Sequence, residues 1–273
     1  MASPVGLPAR VKRRRRVNTM DSRVISLTSI QVACENCSLH QLCLPLELNH
    51  SDMDQLEHII KRRRPLQRGE YLFQAGDTFS SIYAIRSGSL KTFTTTDDGQ
   101  EQVTGFHLPS EMLGLDAITT DEHNCNARAL ETTSVCEIPF IRLQELSSKI
   151  PGLQRQMLRI MSREILEDQD LMIWLGKKTA EERLASFLLR ISKRFTERNF
   201  SASEFNLSMS RTDIANYLGL AVETVSRLFS RFQADGLLTV DRKHVVIDDM
   251  EGLQRIAHIE SRAQVQQGNS HHS

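Results

Sequence analysis

The segment that most restricts the fold of this chain is residues 208–233, where small, flexible and apolar residues recur at fixed intervals. Ala215 precedes Gly219 by four residues, and Val225 follows Gly219 by six. A small side chain is needed where two helices approach, and glycine suits a turn that requires a positive φ. The apolar residue then packs a second helix, expected from about Val222 to Phe232, onto the first. This spacing predicts a helix-turn-helix.

The outer side of the predicted second helix carries groups that can read base pairs. Ser226 and Arg227 follow Glu223 by three and four residues, so all three share one side of the helix. Arginine can bind guanine O6 and N7 together, and glutamate can accept from cytosine N4, which predicts recognition of double-stranded DNA. In the free protein, an ion pair between Glu223 and Arg227 is the alternative. Phosphate contacts are expected at the start of the first helix, from Ser210, Arg211 and Thr212.

Residues 66–140 alternate between short β-type segments and turns. The pair Asp98-Gly99, placed between two such segments, is typical of a β-hairpin. Regularly spaced short strands with glycine turns predict an antiparallel barrel or roll. The expected strands include Tyr71–Phe73, Ile82–Ile85, Leu90–Thr94 and Gln102–Thr104, and a hairpin wing is expected around Asp241–His244.

A long amphipathic helix is predicted after Pro151, because apolar residues recur at steps of three and four without another break until Gly176. Such a helix with a narrow apolar stripe commonly pairs with a copy of itself, through residues such as Met157 and Met161. The alternative is a core helix packed on its own domain. Asp168 follows Met161 by seven residues and so interrupts the seam. Since a carboxylate is costly in an apolar interface, we expect a dimer near its threshold of stability, unless Asp168 reaches water at the edge.

The cysteines favour metal ligation over disulfides. Their number is odd, no export signal precedes them, and three lie within ten residues. Four thiolates commonly hold either a zinc ion or an iron–sulfur cluster. Spacing alone leaves the cluster, zinc and unliganded thiols open. The five residues are Cys34, Cys37, Cys43, Cys125 and Cys136.

The charge balance of 34 basic and 34 acidic residues hides an uneven distribution. Residues 1–20 carry six basic groups and no acidic group. Residues 21–176 carry 14 basic and 22 acidic groups, whereas residues 177–245 carry 12 basic and 8 acidic groups. A positive C-terminal third fits a polyanionic partner.

Several classes of protein are excluded by what the sequence lacks. It has no uncharged apolar run of about 18 residues and no apolar segment after its basic N-terminus, so we expect a cytoplasmic protein without a membrane partner. A redox enzyme based on Cys34-x2-Cys37 is the other class considered. Without a thioredoxin-like pattern, a Gly-rich cofactor loop or a paired acid–base motif, we expect no enzyme and no catalytic residues.

The chain resembles the FNR (fumarate and nitrate reduction) regulators, the oxygen-sensing branch of the cAMP receptor protein superfamily. The resemblance covers nearly everything from Cys34 to about Ile247. Its motifs are Cys-x2-Cys-x5-Cys from Cys34, Tyr83–Gly88, Thr104–Leu108, Leu130–Thr132, Cys136–Pro139, and Asn216–Gly219 leading into Val222–Arg227.

This resemblance implies a [4Fe–4S] cluster that promotes formation of a homodimer. Oxygen would convert it to a [2Fe–2S] form, and the dimer and its DNA binding would be lost. The ligands would be Cys34, Cys37, Cys43 and Cys136, with Cys125 supernumerary. It also places Ile165 at the dimer interface and gives Asp168 the role of opposing premature dimerisation.

The resemblance further implies an oxygen-responsive regulator of anaerobic gene expression. It would bind palindromic TTGAT-type sites through Glu223, Ser226 and Arg227, and contact RNA polymerase. Nucleotide-binding relatives carry an Arg-Ser-Ala cassette where this chain reads His123-Asn124-Cys125, so no cyclic nucleotide is expected. The alternative is a small-effector-gated regulator of the same fold with structural zinc on its cysteines.

The expected fold class is α+β, with a jelly-roll-like sensor domain, a long helix and a C-terminal winged helix-turn-helix. The expected divisions are a flexible basic tail (1–33), an iron–sulfur loop with the β-roll (34–150), a dimerisation helix (151–178), the DNA-binding domain (179–250) and a C-terminal tail (251–273).

Overall fold

The structure is a computed structural model that describes residues 34–46, 48–96 and 98–258. The predicted basic tail, residues 1–33, and residues 259–273 of the predicted C-terminal tail lie outside the described residues.

Eight of the described strands form a roll of two antiparallel sheets, as predicted from residues 66–140. The edges of the second sheet are β2 (Tyr71–Phe73) and β5 (Glu101–His107), and Gly99 turns the chain between β4 (Leu90–Thr95) and β5 with a φ of 79°. The first sheet has the order β1-β8-β3-β6, with β1 (Lys61–Arg62), β3 (Ser81–Ser87), β6 (Met112–Leu113) and β8 (Ser134–Pro139). The second has the order β2-β7-β4-β5, with β2 (Tyr71–Phe73), β4 (Leu90–Thr95), β5 (Glu101–His107) and β7 (Asn126–Ala129).

Three helices surround or leave the roll. Helix α1 (His50–Ile59) precedes β1, and α2 (Phe140–Ser147) follows β8 and packs on α1. Helix α3 (Pro151–Lys177) has 27 residues and begins with a proline, whose missing N–H costs nothing at a helix start. The predicted long helix is confirmed, and it passes through Gly176 without a break.

The C-terminal domain contains the predicted helix-turn-helix and its wing. The helix-turn-helix is α5 (Arg211–Leu218) and α6 (Val222–Ala234), and a sheet of order β10-β11-β9 flanks it. The strands are β9 (Glu204–Asn206), β10 (Leu238–Asp241) and β11 (His244–Ile247).

Two further helices complete this domain. Helix α4 (Ala180–Glu197) starts at a capping box formed by Thr179 and Glu182. Helix α7 (Met250–Ile256) packs on α4 and buries Leu253 completely. The expectation that a tail begins at residue 251 is therefore wrong for this helix, because it belongs to the core of the domain.

Polar contacts join α5 to the exposed edge of the roll. The Val103 N–H donates to Asn216 Oδ1 at 2.5 Å, and Asn216 Nδ2 donates to the Glu101 carbonyl at 2.5 Å. Buried Lys91 donates to Asp213 at 2.7 Å, and the Phe106 and Tyr217 rings lie 5.1 Å apart. The helix-turn-helix thus supplies hydrogen-bond partners to an edge strand, β5, that would otherwise lack them.

A largely buried ion-pair network joins α4 to the turn between β5 and β6. The Glu111 carboxylate accepts from Arg194 Nε at 2.9 Å and from Arg198 Nη2 at 2.6 Å. Burial alone would raise the pKa of Glu111, but the two guanidinium groups hold it down at about 2. The carboxylate is therefore charged at every physiological pH.

Removing one partner of this network should be strongly destabilising. Glu111→Ala leaves Arg194 and Arg198 without a counter-charge, so we expect a loss of about 3–5 kcal/mol in the free energy of unfolding. Urea unfolding followed by circular dichroism measures it. Glu145→Ala is the control, because Glu145 pairs with Arg142 on the exposed face of α2 and should cost less than about 1 kcal/mol. Equal losses in the two variants would show that burial of the network does not matter.

Candidate functional site

Residues 34–46, called here the cysteine loop, are a series of tight turns in front of α1. The Cys37 N–H donates to the Cys34 carbonyl at 3.2 Å, and the Cys43 N–H donates to the Leu39 carbonyl at 3.2 Å. Leu39 and Leu44 are buried and hold the loop against the roll. These turns keep three cysteines on one short, compact segment.

The structure brings four of the five cysteines to one cavity. Cys34, Cys37 and Cys43 of the cysteine loop and Cys136 of β8 line a space of about 40 Å³. Its other walls are mainly apolar and include Leu44, Leu56, Ile60 and Ile138. Cys125 lies elsewhere, with its Sγ 3.6 Å from an Asp116 oxygen. This is the division that the sequence resemblance implies.

Burial governs the protonation of three of these thiols, those of Cys34, Cys43 and Cys136. Burial raises the pKa of Cys34, helped by a hydrogen bond to Glu57, and it raises the pKa of Cys43 to about 12. Burial also raises the pKa of Cys136, although Arg62 opposes the effect. Cys34, Cys43 and Cys136 are therefore neutral thiols unless a bound cation stabilises their thiolates.

The donor set fits a soft metal centre. Thiolates in an apolar, water-poor pocket suit iron–sulfur clusters and zinc. In the ranges that the structure describes, no three His, Cys, Asp or Glu side chains are grouped closely enough to hold one metal ion. A [4Fe–4S] cluster binds its four thiolates at different irons, so it accepts sulfurs that face a cavity from separate walls.

Two side chains tie the cysteine loop to neighbouring helices. At one end, the Cys34 N–H donates to Glu57 of α1 at 3.0 Å, and Arg62 pairs with Glu57 at 2.5 Å. At the other end, Gln156 Nε2 of α3 donates to the Cys43 carbonyl at 3.1 Å. The loop therefore contacts both the roll and the start of the long helix.

Beyond its first turns, α3 exposes a stripe of apolar side chains. Ile165 is 57% exposed and Met161 36%, which is unusual for large apolar side chains on one helix face. Asp168 lies on the same face and is also exposed. This face, called the α3 stripe, comprises Leu158, Met161, Ile165, Asp168, Met172 and Leu175, at steps of three and four.

Of the four residues predicted for dimerisation, three lie on the α3 stripe and Met157 does not. Met157 is partly buried and packs on the core that contains Leu44 and Ile82. Leu158, 61% exposed, takes its place on the stripe. The sequence did not distinguish the two because the N-terminal turns of α3 have apolar residues on both faces.

Acidic groups surround the cavity between the roll and α3, which has a volume of about 360 Å³. Burial raises the pKa of Glu164 to about 7, and the charges of Glu111, Glu167 and Asp168 raise it further. Burial also raises the pKa of Asp168, against the effect of Arg190. An anionic ligand would therefore be repelled from this part of the cavity.

The two arginines that line this cavity already have acidic partners. Arg190 pairs with Glu167 at 2.5 Å, and Arg194 pairs with Glu111. Their charges are therefore largely neutralised by these carboxylates.

The turn of the helix-turn-helix has the predicted geometry. Gly219 adopts a φ of 62°, while Ala215 and Val225 are 1% and 0% exposed. The Ser210 hydroxyl caps α5 by accepting from the Asp213 N–H at 3.1 Å, and it donates to the Asp213 carboxylate at 2.6 Å. Ser210 is therefore already engaged as a helix cap.

The other two predicted phosphate contacts differ in exposure. Arg211 stacks on Phe229 with its guanidinium carbon 3.3 Å from the ring centre, and burial lowers its pKa to about 10. Thr212 is exposed at the first turn of α5.

Helix α6 separates a buried face from an exposed one. Phe229 and Phe232 point into the domain, whereas Glu223, Ser226 and Arg227 are exposed. Arg227 Nε donates to the Glu223 carbonyl oxygen at 3.3 Å. The three predicted base-reading side chains thus share one accessible surface.

Two family profiles match the two domains. A profile of the cyclic nucleotide-binding domain matches residues 63–149, and one of the Crp-like helix-turn-helix domain matches residues 182–256. The transcriptional activator protein FnrA of Stutzerimonas stutzeri is 60% identical over 227 residues, which are 83% of this chain and 93% of FnrA. The fumarate and nitrate reduction regulatory protein of Escherichia coli K12 is 52% identical over 226 residues, 83% of this chain and 90% of the relative.

The chain belongs to the CRP/FNR family of transcriptional regulators. The solved structure of FixK2 from Bradyrhizobium japonicum has a TM-score of 0.67 and 28% identity, covering 72% of this chain and 97% of FixK2. The predicted α+β fold class, the sequence resemblance and the expectation of a non-enzymatic regulator are confirmed. In the part of the chain that the structure describes, every helix is too short or too polar to cross a membrane.

Sequence reasoning did not identify three residues that shape the site in this CRP/FNR-family chain. Glu57 and Gln156 hold the ends of the cysteine loop, and Glu111 joins the roll to α4. Their partners are 23, 113 and 83 residues distant. A polar residue on the inward side of an amphipathic helix was the available signal for Gln156.

The raised pKa of Glu164 predicts a pH-dependent stability that one substitution removes. With a folded-state pKa of about 7 against an ordinary value of 4.5, the folded chain retains a proton that the unfolded chain releases. Stability from this group is therefore present below pH 4.5 and is lost as the pH rises towards 7, by at most about 1.4 kcal/mol per pH unit.

Glu164→Gln should remove this contribution, and urea unfolding of both proteins between pH 5 and 8 measures the difference. The difference isolates Glu164 from His107, whose pKa burial lowers to about 4 and whose effect has the opposite sign. A difference that stays constant with pH would contradict the assignment.

Proposed function

We propose that this CRP/FNR-family chain is an oxygen-responsive regulator of anaerobic gene expression. It binds palindromic TTGAT-type DNA as a homodimer while a [4Fe–4S] cluster is held by Cys34, Cys37, Cys43 and Cys136. The observation that carries the proposal is that these four thiols, and not Cys125, line one apolar cavity. Similarity to a relative named for fumarate and nitrate reduction supports the link to anaerobic metabolism.

The residues around the cavity have separate tasks in this proposal. The four cysteines would hold the cluster as thiolates, and the bound cluster would supply the iron centre at which oxygen is sensed. Leu44, Leu56 and Ile138 exclude water, which limits access to the sulfurs. Glu57 fixes the backbone at Cys34 from α1.

Dimerisation is assigned to the α3 stripe. Pairing two stripes would bury apolar surface that the single chain leaves exposed, which is favourable by roughly 25 cal/mol per Å². Asp168 on the stripe opposes this, because its carboxylate would lose water and meet the same residue of the second copy. A dimer with these opposing contributions is close to its threshold of stability. A small change at the start of α3 therefore alters the fraction of chains that are dimeric.

DNA recognition is assigned to the exposed face of α6. In a two-fold dimer, two such helices about 34 Å apart fit successive major grooves. Glu223 and Arg227 would read a G·C pair, with Ser226 beside them. Backbone N–H groups of α5 and the Thr212 hydroxyl would bind phosphate, and Arg211 would support them from its stacked position.

RNA polymerase is the second macromolecular partner that we propose. The segment Arg86-Ser87 at the end of β3 and the turn at Gly99 lie at the surface of the roll, where a bound polymerase can reach them. This assignment rests on the family resemblance.

A zinc-bound, effector-gated regulator is the alternative. The cavity of about 360 Å³ between the roll and α3 has room for a small molecule. Its acidic groups would require a neutral or cationic effector rather than a nucleotide.

Metal analysis of two cysteine variants tests the proposed cofactor. Purified without oxygen, the wild type and Cys125→Ala should contain about four iron atoms and four sulfides per chain, whereas Cys136→Ala should lose both. Cys125→Ala is the matched control, because it removes a thiol outside the cavity. Colourless wild-type protein containing zinc would favour the alternative and exclude the cluster.

Arg227→Ala tests base recognition by α6. Loss of a bidentate contact with guanine should weaken binding to the TTGAT-type palindrome by about 1–3 kcal/mol, and binding to a palindrome with that G·C pair replaced should change little. Fluorescence anisotropy of cluster-loaded protein at constant salt measures both affinities. An equal loss on the two DNAs would assign Arg227 to phosphate instead.

A further inference from the structure

Gln156 is a buried amide on the first turns of α3. It is 4% exposed, and only Leu153 and Gln156 are fully buried among the 27 residues of this helix. At about 100° per residue, Gln156 lies roughly opposite Ile165 and the rest of the α3 stripe. It therefore faces the core beside the cysteine loop, while the α3 stripe lies on the accessible side of the helix.

The hydrogen bonding of Gln156 is one-sided. Its Nε2 donates to the Cys43 carbonyl at 3.1 Å, whereas its buried Oε1 accepts no hydrogen bond from the residues that the structure describes. A buried polar atom without a partner is costly, so the position is not explained as a simple contribution to stability. The single bond joins the α3 helix to a backbone atom of a proposed cluster ligand.

The packing around this bond involves the same two elements. Leu153 of α3 and Leu44 of the cysteine loop belong to one buried core, and Met157 and Ile160 pack on it together with Cys43. Movement of the loop at Cys43 therefore acts directly on the first turns of α3. Leu158 and Met161 follow within the next two turns of the same rigid helix.

We propose that Gln156 is a positioning residue that couples the state of the cysteine loop to dimerisation through α3. The inference rests on the proposed function and adds the residue that links its two parts. While Cys43 is held in place, its carbonyl pairs with the Gln156 amide and fixes the start of α3. When the loop is released, both polar ends of the amide lack partners, so α3 shifts and the α3 stripe pairs less well.

The experiment compares the wild type with Gln156→Met, since methionine keeps the length of the side chain but cannot donate a hydrogen bond. Each protein is reconstituted with iron and sulfide without oxygen, and a second portion is freed of iron by a chelator. Sedimentation equilibrium gives the dimer dissociation constant in both states. We expect these constants to differ by at least about tenfold in the wild type and by less than about twofold in Gln156→Met.

Iron content and visible absorption of the variant should remain those of the wild type, which a merely structural defect at the cavity would change. Gln144→Met is the matched control, because Gln144 is a glutamine whose side chain is exposed on α2. This control should keep the wild-type ratio between the dimer dissociation constants of the iron-free and cluster-loaded proteins. In Gln156→Asn the amide is one methylene too short to reach Cys43. Its two dimer dissociation constants should therefore differ by less than about twofold, as in Gln156→Met.

The outcomes separate this inference from the proposed function. If wild-type protein shows the cluster-dependent ratio and both Gln156 variants keep it, the role of Gln156 is overturned and the proposed function stands. Loss of iron from the variants also overturns it, since Gln156 would then serve assembly of the site. Wild-type protein without iron, or with the same dissociation constant in both states, overturns both.

Discussion

One continuous helix joins two hydrophobic cores, and the rest of the molecule depends on that continuity. The first turns of α3 are embedded beside the cysteine loop through Leu153 and Gln156. Its last turns pack on the DNA-binding domain through Leu171 and Trp174. Between them the helix carries an apolar stripe whose side chains are exposed among the described residues. A helix is stiff along its axis, so a displacement of one end of α3 also moves the stripe and the other end.

The contacts at the far end of α3 are as specific as those near the cysteines. Arg183 of α4 donates to the carbonyls of Leu175, Lys178 and Leu218, and so ties the end of α3 to the turn of the helix-turn-helix. Arg190 of α4 pairs with Glu167 in the middle of α3. The position of the helix-turn-helix relative to α3 is therefore set by polar contacts made by α4 as well as by burial.

Local patterns predicted the parts of the structure that depend on neighbouring residues. The interval from Ala215 through Gly219 to Val225 specifies a turn whatever the rest of the chain does, and the strands around Asp98-Gly99 follow from turn chemistry. Local sequence patterns did not predict helices α1, α2, α4 and α7. Their apolar patterns identify a helix only when the surfaces that these helices cover are known. Helix α7 is an example, since Leu253 is buried by α4, which lies about 60 residues earlier.

The candidate site likewise has parts that local sequence patterns predict and parts that depend on long-range contacts. The three clustered cysteines are recognisable from spacing, but placing Cys136 rather than Cys125 at the same cavity required either the family resemblance or the fold. Met157 and Leu158 are adjacent apolar residues, and the sequence contains no information on which one faces the protein's own core. Long-range partners such as Glu57 with Cys34 are set by the fold.

The contact between Asn216 and β5 has a consequence for the behaviour of the chain outside its folded state. Strand β5 is the free edge of its sheet, and the Asn216 amide occupies backbone groups at Glu101 and Val103 that another strand could otherwise bind. The DNA-binding domain therefore shields the roll against self-association. Any separation of the two domains uncovers a template for intermolecular β-pairing, so their attachment protects solubility as well as geometry.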